Sequence, residues 1–178
     1  MKLEPEKYRS KDPSRPLIVV RKVTRRDVSK ILRNLEMVAR EQIYIGTEKV
    51  TPRHRKGTLE HVKDRKCLTI VAEVKGEIVG SLSLWTSGLK KMGHIRELGM
   101  LIIDGYREMG IGRALIDYAL KWARKQKGVE KITLGVFSTN KRAFHLYKKF
   151  GFKEEGVLKR QHILKGKYAD EIRMAVFL

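Results

Sequence analysis

The chain has 178 residues, of which 40 are Lys or Arg and 20 are Asp or Glu, so its formal net charge is +20. This length suits one domain, and a 42% hydrophobic content excludes a disordered basic tail. Apolar runs such as 17–20 and 100–103 fall far short of the roughly 20 residues that a membrane span requires. We therefore expect a globular protein with no membrane partner.

Cysteine and amide content bear on the environment of the protein. A single cysteine, Cys67, excludes an internal disulfide and suits a reducing compartment. The first ten residues contain no apolar segment of the kind that secretory leaders carry, so we expect a cytoplasmic protein. Only two Asn and three Gln accompany the many charged residues, a composition typical of thermophiles.

The positive charge is spread along the chain. Residues 1–66 hold 19 basic and 9 acidic residues, and residues 67–178 hold 21 and 11, so each part carries +10. Such an excess is typical of nucleic-acid binders, because Lys and Arg supply most non-specific phosphate affinity. It equally suits an enzyme for an anionic ligand or a solubilising surface. Charge alone leaves these three interpretations open.

The first part of the chain is polar and then alternates between strand and helix patterns. Residues 1–16 contain three prolines and predict a flexible lead-in, which leaves one domain over 17–178. Thr24 followed by Asp27 resembles the start of a helix. The patterns then predict a strand at 17–23, a helix at 25–42, a loop at 43–52, a charged helix at 58–66 and strands at 67–74, 77–85 and 94–103.

The second part continues the alternation. Apolar residues from Ile111 to Trp122 recur at helical spacing and predict a helix. Gly151 is a candidate C-cap for a later helix, predicted at 140–150. Further segments are a strand at 131–137, a helix at 140–150, and strands at 152–158 and 172–177 with a polar loop around Gly166 between them. Mixed strands and helices without repeats or linkers predict a single α/β domain.

The most informative motif is Arg107-x-x-Gly110-x-Gly112, which follows an apolar strand and opens a helix. A helix N-terminus carries unpaired N–H groups and a positive dipole end, and glycines allow a phosphate to approach them. Arg107 and Arg113 could add phosphate contacts. The chain lacks the Gly-Lys-Ser/Thr of a P-loop and the third glycine or alanine of a dinucleotide fingerprint.

Two motifs in order resemble the signatures of the GNAT superfamily of N-acetyltransferases. Residues 107–112 are similar to its Q/R-x-x-G-x-G/A motif, and residues 140–152 are similar to N-x-x-A-x-x-L-Y-x-x-x-G-F. The resemblance implies an α/β (α+β) fold whose mixed, mostly antiparallel central sheet has about six to seven strands. Helices would flank this sheet, which would be splayed beside its third central strand, at the cofactor site.

The resemblance also implies acetyl-CoA (coenzyme A) as the cofactor. The backbone of Met100, Leu101 and Ile102 would pair with the pantetheine arm, and Asn140 would bond near the reactive end. Backbone amides would surround the pyrophosphate, together with Arg107, along Glu108, Met109, Gly110, Ile111, Gly112 and Arg113. Asp104 departs from the family pattern, which commonly has proline there, and an acid so close to a pyrophosphate must point away.

Three side chains are candidates for the chemistry and for acceptor binding. Tyr147 stands where the family commonly supplies a proton to the leaving thiolate, although a core aromatic is the alternative. Glu97 could be the base, directly or through water, if burial raises its pKa; the alternative is an ion pair with Arg96 or a neighbouring strand. Tyr44 could line the acceptor pocket or be a simple loop aromatic.

The expected function is transfer of an acetyl group to a primary amine by direct attack in a ternary complex. Protein N-termini, lysines, polyamines and other small amines remain open as acceptors, and Asp170 and Glu171 either recognise a cationic acceptor or form a solvated face. No histidine spacing predicts a metal site. The alternative is an inactive GNAT-like basic protein that binds nucleic acid or the ribosome. Otherwise we expect only weak electrostatic contact with nucleic acid, and an exposed C-terminal strand edge would permit a homodimer.

Overall fold

A computed structural model describes residues 4–9 and 14–178. These residues form eight strands and four α-helices. The strands are β1 (Glu6–Tyr8), β2 (Ile18–Lys22), β3 (Leu68–Val74), β4 (Glu77–Trp85), β5 (Ile95–Ile102), β6 (Lys131–Phe137), β7 (Lys153–Leu164) and β8 (Lys167–Phe177). The helices are α1 (Val28–Glu41), α2 (Pro52–Lys63), α3 (Ile111–Arg124) and α4 (Lys141–Lys149).

All eight strands belong to one sheet in the order β1-β2-β3-β4-β5-β6-β8-β7. Every neighbouring pair is antiparallel except β5 and β6, which are parallel. The predicted mixed, mostly antiparallel α/β sheet is therefore confirmed. It has one strand more than predicted because β1 is added at its edge.

Helices cover both faces of the sheet. On one face, buried residues of α3 such as Leu115 and Trp122 pack against the inward side chains of the central strands, including Ile70. On the other face, Ile31 of α1 packs against Val71. Ile70 and Val71 are consecutive residues of β3, and successive side chains of a strand point to opposite faces. The sheet is therefore a layer between α1 and α3.

Part of the predicted lead-in is a strand. Glu6–Tyr8 pairs with β2, and the Tyr8 hydroxyl donates to Asp117 of α3 at 3.0 Å. Tyr118 of α3 donates to the carbonyl of Glu4, also at 3.0 Å. Three residues are too few to show a strand pattern in the sequence. Residues 1–3 and 10–13 of the predicted lead-in lie outside the described residues.

Two boundaries differ from the sequence prediction. Helix α2 begins at Pro52, within the predicted loop and six residues before the predicted start, because Thr51 caps it and proline suits the first helical position. The predicted loop around Gly166 is instead a tight turn of a long β7–β8 hairpin, in which Lys165 and Gly166 have φ of 49° and 77°. Most of β7 is exposed, so it lacks the apolar alternation that indicates a strand.

The helices formed by the described residues include none with the length and hydrophobicity of a membrane span.

Candidate active site

The sheet opens beside β5. This strand is paired with β4 as far as its last residue, but it meets β6 over only three residues, ending at Glu97 and Thr133. Beyond Glu97 the parallel strands diverge, and no other described strand covers that edge of β5. The predicted splay is therefore present, and the backbone of Met100, Leu101 and Ile102 runs along it.

A cleft of about 1330 Å³ follows this opening. It brings together nearly all of the predicted site residues. Those that line it are Tyr44, Glu97, Met100, Leu101, Ile102, Arg107, Glu108, Gly110, Ile111, Gly112, Arg113, Asn140 and Tyr147. Met109 is the exception, because its side chain packs against the core, which leaves only its backbone for the predicted role.

The turn between β5 and α3 fits the predicted pyrophosphate site. Gly110 is the N-cap of α3 with a φ of 88°, a conformation that glycine adopts without steric cost. The first N–H groups of α3 have no partners within the helix, which is the arrangement that favours an anion. At Gly112, an added Cβ would lie 2.9 Å from Leu146 Cδ2, so a side chain there would narrow the cleft.

The Arg107 guanidinium is held within the protein. Its Nη1 and Nη2 donate to the two carboxylate oxygens of Glu41 at 2.8 and 2.5 Å, and its Nε donates to the Ile102 carbonyl at 3.0 Å. The ring of Tyr44 lies 4.2 Å from the guanidinium carbon. Hydrogen bonding to Glu41 raises the Arg107 pKa. Arg107 therefore joins the end of α1 and the following loop to the end of β5.

Other charged side chains surround the turn. Arg142 of α4 pairs with Glu108 at 2.8 Å, and Arg113 lies over the Phe150 ring at 6.0 Å. Lys141 also lines the cleft. The Asp104 side chain is 87% exposed, is not among the residues that line the cleft, and its Oδ1 lies 3.5 Å from Arg107 Nη1. The rim beside α3 and α4 is therefore basic.

Helix α4 carries the two residues of the second motif. The Asn140 side chain caps the helix by accepting a hydrogen bond from the Ala143 amide at 3.2 Å. Tyr147 is 6% exposed, and burial raises its pKa above the ordinary value. Its hydroxyl has no hydrogen-bond partner among the described residues. Every fully buried side-chain oxygen of these residues does have a partner, so the Tyr147 hydroxyl is not fully buried. The hydroxyl is therefore accessible from the cleft.

Glu97 does not have the buried setting on which its predicted role as the base depended. Its side chain is 41% exposed, and its Oε1 lies 3.8 Å from Arg173 Nη1 on β8. The alternative of an ion pair with a neighbouring strand is therefore what the structure shows. The Arg96 side chain instead donates to backbone carbonyls, including that of Lys66 at 2.9 Å.

Sequence reasoning did not identify His162 or Arg173 as cleft residues, and it left open whether Glu171 binds the acceptor or belongs to a solvated face. Glu171 accepts hydrogen bonds from His162 Nε2 at 2.7 Å and from Arg173 Nη1 at 3.0 Å, and these bonds lower its pKa against the opposing effect of burial. All three residues line the cleft. His162 and Glu171 face each other only because β7 and β8 form one hairpin. The Lys165-Gly166 pair at the turn of this hairpin is the sequence signal that could have predicted the contact.

The wall under α1 and α2 is polar and aromatic. Thr69 and Ser83 share a hydrogen bond of 3.2 Å, and the His61 ring stacks on Trp85 with centroids 6.1 Å apart. Trp85 covers Gly99, where a Cβ would lie only 2.9 Å from the indole ring. The cleft therefore has a basic side at α3 and α4, and a polar side at α1 and α2 that includes the loop after α1 and the β7–β8 hairpin.

Comparison with known proteins decides the family. Residues 29–152 match the profile of the Acetyltransferase (GNAT) family. The chain belongs to this family. As a GNAT protein it is an acetyl-CoA-dependent N-acetyltransferase, and the predicted family, enzyme class and cofactor are confirmed.

Its relatives include several GNAT enzymes. The chain is 35% identical to an N-alpha-acetyltransferase of Sulfurisphaera tokodaii over 114 residues, which are 58% of this chain and 67% of the relative. It is 28% identical to the L-amino acid N-acetyltransferase AaaT of Escherichia coli over 159 residues, 89% and 96% of the two chains. A ribosomal-protein-alanine N-acetyltransferase structure from Brucella melitensis superposes with a TM-score of 0.81 at 26% identity, covering 89% and 99% of the chains.

Proposed function

We propose that this enzyme acetylates the α-amino group of a protein or peptide N-terminus. The supporting observation is the charge arrangement on the polar side of the cleft. Arg107 and Arg173 line that side, and both are held by carboxylates, namely Glu41 and Glu171. The described residues of that side therefore offer no unpaired arginine to a substrate carboxylate.

This arrangement discriminates between acceptors that carry an α-amine. A free amino acid brings a carboxylate, whose burial without a cation is costly. A peptide N-terminus replaces that carboxylate with a neutral amide, and its ammonium can be attracted by Glu97, which is 41% exposed in the cleft. The names of two relatives, an N-alpha-acetyltransferase and a ribosomal-protein-alanine N-acetyltransferase, agree with such an acceptor.

We assign the chemical roles to groups along the splay. Bound acetyl-CoA supplies a thioester carbonyl that a neutral amine can attack directly in a ternary complex. The α3 N-terminus from Glu108 to Arg113 would hold its pyrophosphate, and the backbone of Met100, Leu101 and Ile102 its pantetheine arm. A backbone N–H on that edge, such as that of Met100, would polarise the carbonyl oxygen, and Tyr147 would protonate the leaving thiolate.

The test is a competition among acceptors. The protein would be incubated with labelled acetyl-CoA and one of four acceptors: a peptide with a free N-terminus, an N-terminally blocked peptide containing lysine, a free L-amino acid, and spermidine. We expect label on the free N-terminus, located by mass spectrometry. Label confined to lysine, the amino acid or spermidine would refute the proposed acceptor. Two further expectations for this protein, weak electrostatic contact with nucleic acid and formation of a homodimer, remain predictions.

A further inference from the structure

A row of four charged or titratable side chains crosses the base of the splay. It begins at Glu97, the last residue of β5 that pairs with β6, and continues through Arg173 and Glu171 of β8 to His162 of β7. The successive distances are 3.8, 3.0 and 2.7 Å. We call these four residues the base row.

Gly135 makes room for the base row. It is paired with Arg173 and lies two residues beyond Thr133, where β6 has already left β5. A Cβ at Gly135 would overlap the Glu171 carboxylate, lying 2.8 Å from its Cδ and 3.2 Å from Arg173 Nη1. The Glu171 carboxylate therefore occupies the space that a side chain at position 135 would fill, at the base of the splay.

The hydrogen bond between His162 and Glu171 determines the state of the imidazole. Glu171 is held as a carboxylate by its two partners, and an ionised carboxylate can only accept hydrogen bonds. Nε2 of His162 must therefore carry a hydrogen, so that in the neutral imidazole the lone pair is on Nδ1. This is the arrangement in which a carboxylate orients a histidine as a proton acceptor.

We propose that His162, oriented by Glu171, is the general base that takes the proton from the acceptor ammonium. This inference rests on the proposed function and assigns the base within it. The ammonium loses a proton to Nδ1 and becomes a neutral amine, whose lone pair forms the new N–C bond as the C–S bond breaks. Tyr147 gives a proton to the thiolate, and the second proton lost by the nitrogen restores the Tyr147 hydroxyl. His162 releases the first proton to solvent, so that one proton is released overall.

The surroundings of His162 suit both proton uptake and proton release. Its ring faces Phe137 of β6 with centroids 4.6 Å apart, and Gly46 of the loop after α1 lies beside Cε1. From β8 it faces Glu171, with Arg173 behind that carboxylate. The His162 side chain is 27% exposed and that of Glu171 14%, so the histidine is the more open end from which a proton can reach solvent.

Glu97 has a different part in this scheme. It lies at the other end of the base row and contacts Arg173 rather than a proton-accepting group. Its carboxylate would attract the ammonium, while Arg173 keeps Glu171 ionised and oriented towards His162. Arg173 is a positioning residue, since it acts through Glu171.

The first experiment measures the pH dependence of His162→Ala with the peptide acceptor. We expect kcat to fall about 100-fold at pH 6.5, since general bases contribute that order or more. The deficit should shrink towards pH 9, because a terminal α-amine has a pKa of about 8 and is then already neutral. Added imidazole should partly restore the rate. His94→Ala, at an exposed histidine outside the cleft, is the matched control and should retain wild-type kcat.

The second experiment disturbs the base row without removing any of its groups. Gly135→Ala should displace Glu171 and lower kcat about 10-fold, whereas Gly156→Ala should have no effect, because Gly156 has open space around its Cα. Nitrogen NMR of the unliganded protein should show the Nε2-protonated tautomer of His162 in the wild type. Glu171→Gln and Gly135→Ala should both lose this preference, and Glu154→Gln on β7 should keep it.

Specific outcomes would overturn the assignment. A His162→Ala deficit that is constant with pH, or one that appears only in the acceptor KM, would mean that His162 has a structural or binding role. An Nδ1-protonated tautomer in the wild type would also refute it. If the wild type acetylates another amine, the proposed acceptor fails but the same comparison with that amine still tests His162. Calorimetric titration with acetyl-CoA should give similar affinities for all variants, which shows that the cofactor side is intact.

Discussion

The two sides of the cleft are built on different principles. The side at α3 and α4 depends on backbone: an unpaired edge of β5, a helix N-terminus and two glycines, Gly110 and Gly112, at its start. The side at α1 and α2 depends on side chains that distant segments bring together, such as Glu41 with Arg107 and His162 with Glu171. A backbone site is sensitive mainly to added bulk, whereas a side-chain network is also sensitive to the loss of a single side-chain group.

The largest effect is expected where bulk is added to the backbone site. Gly110→Val forces a β-branched residue into a φ of 88° and distorts the start of α3. Losing two or three charge-assisted N–H contacts of about 1.5 kcal/mol each would weaken acetyl-CoA binding about 1000-fold. Calorimetric titration would measure the affinity.

Gly128→Val is the matched control for this change. Gly128 has a φ of 79° and follows the end of α3, outside the cleft residues. Both variants share the backbone strain and should lose comparable stability, but only the first should lose cofactor affinity. Equal affinities in the two variants would contradict the assignment of the α3 N-terminus.

The difference between the two sides also explains what could be predicted from sequence. Gly110, Gly112, Asn140 and Tyr147 occupy short local motifs, and the resemblance of these motifs to the GNAT signatures implied the splayed fold and most of the cofactor side. The base row has no local signature, because its members lie on three strands. The partner of Arg107 is Glu41, 66 residues away, and no local pattern predicts it.

The turn between β7 and β8 shows why the contact between His162 and Glu171 was not predicted. Lys75-Gly76 and Lys165-Gly166 have nearly the same φ values, 51° and 81° against 49° and 77°. The first pair joins the apolar strands predicted at 67–74 and 77–85, so the sequence indicates a hairpin turn there. The second lies between exposed strands without apolar alternation and was interpreted as a loop, which concealed the contact of His162 with Glu171.

The next largest effect is expected at Tyr147, in the cleft between the two sides. Tyr147→Phe removes only the hydroxyl that opens to the cleft, so kcat should fall about 100-fold, as expected for loss of a general acid. Acetyl-CoA affinity should change little, because the ring and its packing against Phe152 remain. Steady-state kinetics and calorimetry would separate the two quantities.

Tyr118→Phe provides the comparison for the loss of a buried hydroxyl. Tyr118 is also buried, but its hydroxyl donates to the Glu4 carbonyl and lies outside the cleft. This variant should lose about 1 kcal/mol of stability and keep its kcat. An unchanged kcat in Tyr147→Phe would remove Tyr147 from the acid role.

A smaller effect is expected at the link between the two sides. Glu41→Gln removes the carboxylate that holds Arg107, while Arg107 still contacts the Ile102 carbonyl and Tyr44. Because Arg107 joins the loop after α1 to the end of β5, we expect KM for acceptor and for acetyl-CoA to rise together, each about 10-fold, or about 1.4 kcal/mol. Initial-rate kinetics with both substrates varied would show this.

A double-mutant cycle sharpens that prediction. If Glu41 acts through Arg107, then Arg107→Gln and the double variant with Glu41→Gln should show the same rise in both KM values. Additive effects would mean that the two residues act independently. Glu60→Gln, at an exposed position on α2, should leave both constants at wild-type values.

The smallest effect on activity is expected at Asp27, which precedes α1 at the end remote from Glu41. Its buried carboxylate accepts hydrogen bonds from Arg21 at 2.8 and 3.1 Å and from the Thr24 amide at 2.8 Å. These bonds, that of Arg21 first, lower the Asp27 pKa below its ordinary value. Asp27→Asn should therefore lower stability, by about 2 kcal/mol for a partly exposed pair, and leave kcat unchanged.

The pH dependence of this change follows from the direction of the pKa shift. A carboxyl group whose pKa is lower in the folded protein contributes its full stabilisation above the unfolded value of about 3.9 and loses it as pH falls through the folded value. The difference in free energy of unfolding between wild type and Asp27→Asn should thus be constant from pH 7 to 5 and shrink below pH 4. Urea unfolding at each pH measures it, with the exposed Glu130→Gln as the control. A difference that keeps its pH 7 value down to pH 2 would mean that Asp27 stabilises α1 by packing instead of by its charge.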